Sequence, residues 1–355
     1  MWHKNLSAFR YNTKKQTSEF FGFEIFIWHS FYVICVIRLT IYPMKINHYY
    51  LQATFILLVA LAAGCTPSRG IIASGKVTTK GAIKAGYNAS FNISSSSLSE
   101  VDNIAESAVN ALQNRDSIYY DADFQSLTRS LLAYSLDPTA PTSDFYIRYG
   151  VADRVDVGYK YASGAHVLDA MYQFLGSTGT IDNPGPAGLY GSIGLQYSGQ
   201  NSNLPSRLGL SALSSILNYD LKRKDILVPL VFSKSFGQEE EYGNFSWGVV
   251  YGHTFINYGF EPGNLYEKLG GTQTRQIKAL QKKENFSSFG TFINAKIGYR
   301  YIYFLPALSI YYQNYGTYDI FGLQQENYKG FTFIPSLGFQ INFSTISGNT
   351  RSRRR

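Results

Sequence analysis

The sequence predicts an all-β protein, a closed antiparallel up-and-down transmembrane β-barrel of about ten strands, and three observations predict it. Apolar and polar residues alternate with period two through many runs, the first of them longer than the roughly 3–10 residues usual for strands of soluble proteins. After Cys65 no stretch approaches the ~20 uninterrupted apolar residues of a helical span, so only a closed barrel can satisfy backbone polar groups in lipid. Of 355 residues, 16% are charged and 16% aromatic, with 29 Tyr, 25 Phe and 32 Gly, whereas soluble domains carry about 25% charged residues. A surface facing hydrocarbon needs few charges.

Residues 1–43 include FFGFEIFIWHSFYVICVIRLTIYP, an apolar stretch interrupted by Glu24 and His29. A membrane helix there would hold costly ionisable groups, and 1–43 reads as a mis-started or non-native extension, with translation beginning at Met44. From Met44, Lys45 supplies a positive n-region, Leu51 to Ala63 an apolar h-region, and Gly64-Cys65 a small-residue processing site, so 44–64 reads as a secretory signal peptide. Leu61-Ala62-Ala63-Gly64-Cys65 resembles the lipobox of bacterial lipoproteins. That resemblance implies lipidation at Cys65: a diacylglycerol on its thiol and an N-acyl chain, with no other cofactor. Two or more acyl chains give stable anchoring. Residues 65–74 then form a lipidated tether running from the inner leaflet to the first strand.

The barrel is expected over 75–343. Val77, Thr79, Gly81, Ile83, Ala85, Tyr87, Ala89, Phe91 and Ile93 alternate with polar or small residues, which predicts one strand over 77–93. The same rhythm predicts strands near 144–151, 155–162, 166–175, 189–199, 225–236, 243–258, 287–300 and 302–315. In the last run, 330–343, Phe331, Phe333, Leu337, Phe339, Ile341 and Phe343 share a face opposite Thr332, Ser336, Gly338, Gln340 and Asn342. It resembles the C-terminal strand that barrel-assembly machinery recognises in bacterial outer-membrane proteins, and that machinery is the partner the resemblance implies. Tyr and Phe at the ends of many runs suit the interfacial girdles of such barrels; the core of a secreted β-sandwich is the competing explanation.

Bacterial barrels join strands by short periplasmic turns and longer outer loops. Val151 to Arg154, Gly237 to Tyr242 and Tyr301 are short, and with 176–188 they belong on the periplasmic side. That puts 94–143, 200–224, 259–286 and 316–329 outside and both barrel termini in the periplasm. A further strand at 206–217 would make twelve. The insert 94–143 carries Val101, Ile104, Ala105, Ala108, Val109 and Leu112, then Phe124, Leu127 and Leu131, at helical spacing, so two short amphipathic helices are expected, the second ended by Pro138 and Pro141. Asn264 to Asn285, with Lys268, Arg275, Lys278, Lys282 and Lys283, reads as a basic loop, irregular or helical, either solvated or facing lipopolysaccharide.

The net charge of +8 suggests nucleic acid until it is located. Residues 1–43 contribute +3 and the 344–355 basic tail +4, which leaves 44–350 near neutral, so no nucleic-acid face is expected. Two Cys exclude a disulfide scaffold and a CxxC zinc cluster. Glu239-Glu240-Glu241 reads as a bare solvated turn, and no metal site is expected. His166, near Ser163 and Asp169, and His253, beside Thr254, could serve a hydrolase base at the outer rim, but they match no motif, and no catalytic residue is assigned. The lumen-facing candidates are Lys80, Lys84, Arg148, Lys160 and Lys296 against Asp156 and Asp169. Such charges tune ion selectivity in an open pore, or pair across the wall, for example Arg148 with Asp156 or Asp169.

The hairpin Arg148 to Tyr159 is similar to hairpins of transporter-like outer-membrane barrels, with Asp153 suited to the turn and Gly150 and Gly158 to a crowded bend. With the leader and last strand, the chain resembles a lipidated bacterial outer-membrane β-barrel, a family of unassigned substrate. The resemblance implies a Gram-negative outer-membrane location, membrane lipid and lipopolysaccharide as surroundings, and a narrow passive channel of unknown solute. A surface-structural or binding barrel is the alternative, and a hydrolase a distant third.

Overall fold

Period-two alternation puts every second side chain on one face of a strand, so a ring of such strands has an apolar outside and a different inside. The computed structural model closes that ring. It describes residues 69–97, 118–119, 122–180, 183–186, 188–203, 218–262, 265–270, 273–321 and 324–343. The strands are β1 (Ile83–Ser94), β2 (Ile118–Tyr119), β3 (Ala140–Ala152), β4 (Val155–Ala162), β5 (Ala165–Leu175), β6 (Leu189–Asn203) and β7 (Tyr219–Phe236), then β8 (Gly243–Phe260), β9 (Leu265–Gly270), β10 (Gln273–Gln276), β11 (Leu280–Tyr299), β12 (Ile302–Ile320) and β13 (Gln324–Phe343). The helix α1 spans Ala122–Leu136.

Ten strands form the barrel in the order β1-β13-β12-β11-β8-β7-β6-β5-β4-β3, each antiparallel to its neighbours in the ring. The seam is the pairing of β1 with β13, running from Ile83 opposite Phe343 to Ser94 opposite Thr332. Ten strands therefore replace the twelve-strand alternative; 204–217 lies outside the described residues. Outside the ring, β2, β9 and β10 make a small second sheet.

Turns at one end are short: residues 153–154, 237–242 and 300–301, with 176–188 the longer exception. Both ends of the barrel sequence, Ile83 and Phe343, lie there too. At the opposite end the wall is uneven, since β4 has 8 residues while β7 and β8 have 18 each and β11 has 20.

The outward face is apolar. Ile147, Val157, Leu168, Leu195, Val249, Ile293 and Leu337 are exposed, and Tyr172, Tyr242, Tyr299 and Tyr301 stand exposed toward the short-turn end. A β-sandwich core would bury these side chains, so the competing explanation fails.

Several expectations need correction. β1 starts at Ile83, because residues 69–78 leave the wall and run inside the barrel. The expected loop 316–329 is mostly strand, with β12 and β13 paired out to Ile320 and Gln324. The basic stretch 264–285 is β9, β10 and the start of β11, not a helix. The second helix of the insert is α1, which stops at Leu136 ahead of Pro138. The first, Val101 to Leu112, lies outside the described residues, as do 1–68 and 344–355.

The inside is not uniformly polar. Phe124, Leu131, Leu132 and Leu136 of α1 pack against Leu221, Ile256, Tyr258, Phe286, Tyr315 and Tyr318, filling the long-walled end with an apolar cluster. This helix is helical because its apolar positions recur on one face that the barrel covers.

Leu195, exposed on the outer face at mid-height, tests the lipid contact. Leu195→Arg should cost about 2–4 kcal/mol of folding stability in bilayers, read from urea titrations of folding into phospholipid vesicles; a neutral result would contradict hydrocarbon on that face.

Candidate functional site

Strands that alternate apolar-out present their other residues to a bore that, in small barrels, side chains largely fill. Here main chain fills it as well. Residues 69–78 climb the interior, gripped in turn by polar side chains of the wall. At the short-turn end the Thr78 N–H donates to Asp156 (2.7 Å) and the Val77 N–H to Gln173 (3.2 Å). Higher up, the Gly75 N–H donates to Ser233 Oγ (3.0 Å), Asn294 donates to the Ala73 carbonyl (3.0 Å), and the Ile71 N–H donates to Ser309 Oγ (3.1 Å). Highest of all, Arg69 donates to Gln313, and Tyr311 donates to the Arg69 carbonyl (2.7 Å). Ile71 and Val77 pack with Met171, Leu227, Val231, Val250, Phe292 and Ile334 in a second interior cluster.

Small residues make the fit. Gly150 accepts from the Gly81 N–H (2.8 Å) and donates to the Ala82 carbonyl (3.1 Å), and a Cβ there would overlap the Thr79 carbonyl. Gly158 leaves the room occupied by the Asp169 carboxylate. Both glycines of the 148–159 hairpin thus serve what the barrel contains.

Ion pairs hold this interior. Arg148 bridges Asp156 (2.5 Å) and Asp169 (2.6 Å), all three from inward positions of β3, β4 and β5. Lys296 pairs with Glu240, and Lys76, from the climbing segment, pairs with Glu239. Ser74 also donates to Glu240. The acidic turn is therefore not solvated. Glu239 and Glu240 are buried, with φ of 53° and 60°, a left-handed conformation costly for non-glycine residues. Partners hold it: Glu239 accepts from Ser177 Oγ (2.8 Å) and the Gly185 N–H (2.8 Å). Only Glu241 faces outward, accepting from Arg300 (2.7 Å). Burial alone would raise the Glu240 carboxyl, but the Lys296 and Lys84 charges, with hydrogen bonds from Lys296 and Ser74, hold it below the usual carboxylate range.

At the long-walled end Asp137, just past α1, is a buried hub. It accepts from Asn92 (2.8 Å), Gln313 (3.1 Å), Tyr315 (2.8 Å) and Thr332. Arg223 pairs with Asp225 (2.9 Å) and donates to the Leu136 carbonyl (2.9 Å), satisfying one of the helix's terminal acceptors.

Of the expected lumen residues, Lys84, Arg148, Asp156 and Lys296 line one internal cavity together with Lys76, Tyr146 and Gln340. Asp169 joins them through Arg148, and Lys160 is buried inside the wall. Lys80 does not belong with them: it precedes β1 and is exposed at the rim, bridging to Gly150. Cys65 lies outside the described residues. The histidines do not assemble with acids. His166 faces outward, hydrogen-bonded to Tyr159 (2.7 Å), while Asp169 points inward. His253 meets Ser287 (3.2 Å), whereas Thr254 bonds Asp225 inside.

No protein-family profile and no curated protein matches the sequence. Among solved structures the chain is similar to Neisserial surface protein A, at 9% identity over 74% of this chain and 97% of that one, with a TM-score of 0.28. It is similar to the attachment invasion locus protein Ail of Yersinia pestis at 10% identity over 74% and 99%, TM-score 0.26. The outer membrane protein OprG from Pseudomonas aeruginosa matches at 9% identity over 76% and 99%, TM-score 0.27. These scores are low, and the ten-strand ring stands on the chain's own pairing.

Two measurements probe the interior. Arg148→Met leaves Asp156 and Asp169 buried without their cation and should cost roughly 3–5 kcal/mol, seen as a lower temperature for loss of the fast-migrating folded band in gels. Because the Glu240 pKa is depressed in the fold, its contribution is full above the unfolded value of about 4.3 and is lost as pH falls through the lower folded value. The folded band should therefore weaken on acidification below about pH 4, and Glu240→Gln should flatten that dependence.

Proposed function

We propose that the chain is a bacterial outer-membrane β-barrel lipoprotein that acts as a surface-structural or binding barrel without a conducting pore. A ten-strand ring with an exposed apolar belt is suited to a bilayer and leaves no unpaired sheet edge in lipid. One observation carries the choice among functions: residues 69–78 and α1 occupy the bore from opposite ends, each tied to the wall by buried polar contacts. That occupation weighs against the narrow passive channel, which would require the 69–78 segment to withdraw and so to break the Lys76–Glu239 and Ser74–Glu240 contacts. Pairing across the wall, rather than ion selection, is the role of Arg148, Asp156, Asp169 and Lys296 in this reading.

Planar-bilayer recording tests it. The intact protein should be silent, while a variant lacking residues 67–79, or one carrying Glu239→Gln with Glu240→Gln, should show conductance steps. Steps in the intact protein equal to those of the variants would establish an open pore and overturn the proposal.

A further inference from the structure

The contacts along 69–78 form a graded ladder. With the residue at the short-turn end of each strand numbered zero, Thr78 meets position one of β4, Val77 position two of β5 and Gly75 position three of β7. Ala73 then meets position five of β11, Ile71 position seven of β12 and Arg69 position eleven of β12. Six contacts on five strands rise without a reversal. A strand tilted by about 40° and rising ~3.3 Å per residue lifts position eleven about 28 Å above the rim, roughly the whole ~25 Å apolar band of an outer-membrane barrel.

Cys65 precedes Arg69 by four residues, and four residues reach at most about 14 Å. That is half the distance back to the short-turn rim. An acyl chain on Cys65 therefore cannot enter the leaflet beside that rim while Arg69 keeps its bonds to Gln313 and Tyr311. We infer that the chain is threaded through its own barrel, so that residues preceding Arg69 leave at the long-walled, outer end and Cys65 is presented on the cell-surface side. This rests on the outer-membrane reading and on the short turns being periplasmic. It also gives the buried polar grip a purpose: Arg69, Ser74 and Lys76 fix a strand of chain in transit across the membrane, where free backbone groups would be costly.

Labelling with a membrane-impermeant maleimide in intact and permeabilised Gram-negative cells tests the threading, using Thr66→Cys beside two reference positions. Gln325→Cys is exposed on the outer hairpin of β12 and β13, and Asp153→Cys is exposed in a short turn. The expected result is that Thr66→Cys, above the wild-type signal, and Gln325→Cys react in intact cells, while Asp153→Cys reacts only after permeabilisation. If Thr66→Cys behaves as Asp153→Cys while Gln325→Cys reacts in intact cells, threading is wrong and the orientation stands. If the two reference positions do not separate in this way, the outer-membrane reading itself fails, and threading with it.

Discussion

Backbone N–H and C=O groups shut away from water cannot be left unpaired without cost, and the rest of this molecule follows from that constraint. It closes β1 on β13 and removes both sheet edges. Closure in turn sets the bore by strand number, and ten strands enclose a space wider than the roughly eight-strand interior that side chains alone can fill, with room for a length of main chain. What enters that space has to be built to fit. The climbing segment accordingly has a glycine at Gly75, where a Cβ would overlap the Tyr190 carbonyl, its amides are received by Ser, Gln and Asp side chains of the wall, and Asn294 donates to its Ala73 carbonyl.

Filling the bore moves charges from water to the interior, where an unpaired ion costs several kcal/mol. Around the short-turn end Arg148 pairs with two aspartates, Lys296 with Glu240, and Lys76 with Glu239, while Lys84 lines the cavity among them. Two consecutive glutamates adopt left-handed backbone angles to reach those lysines. Strain of this kind, of order 1–3 kcal/mol per residue, persists only where surrounding contacts hold it. The turn is a latch for the segment above it, not a solvated connector.

The opposite end uses different physics. There the long strands rise past the apolar belt and surround α1, whose leucines and Phe124 pack on inward-facing tyrosines. A polar-lumen rule suits water-filled pores; a barrel whose ends are stoppered by protein can carry apolar side chains on both faces of the same strand. Tyr258, Tyr315 and Tyr318 are inward, while Phe255, Phe289 and Tyr312 are outward.

Alternation alone determined the fold class, the strands near 155–162, 166–175, 243–258 and 330–343, and the short turns, because period two is a local property of a wall with two unlike faces. It also put Arg148, Asp156 and Asp169 on the inside, where parity is sufficient to bring opposite charges together. The tertiary structure decided the rest. Val77 and Thr78 continue the alternation of β1, yet they lie inside the ring, because once β1 and β13 close at Ile83 and Phe343 the residues ahead of the rim have the bore to occupy. Glu239 and Glu240 look like a hydrophilic turn, and only the arrival of Lys76 and Lys296 from distant parts of the chain makes burial the lower-energy state. Partners so far apart in sequence leave no local periodicity to read; long-range proximity, created by closure, is what turned residues 69–78 and an acidic turn into the centre of the molecule.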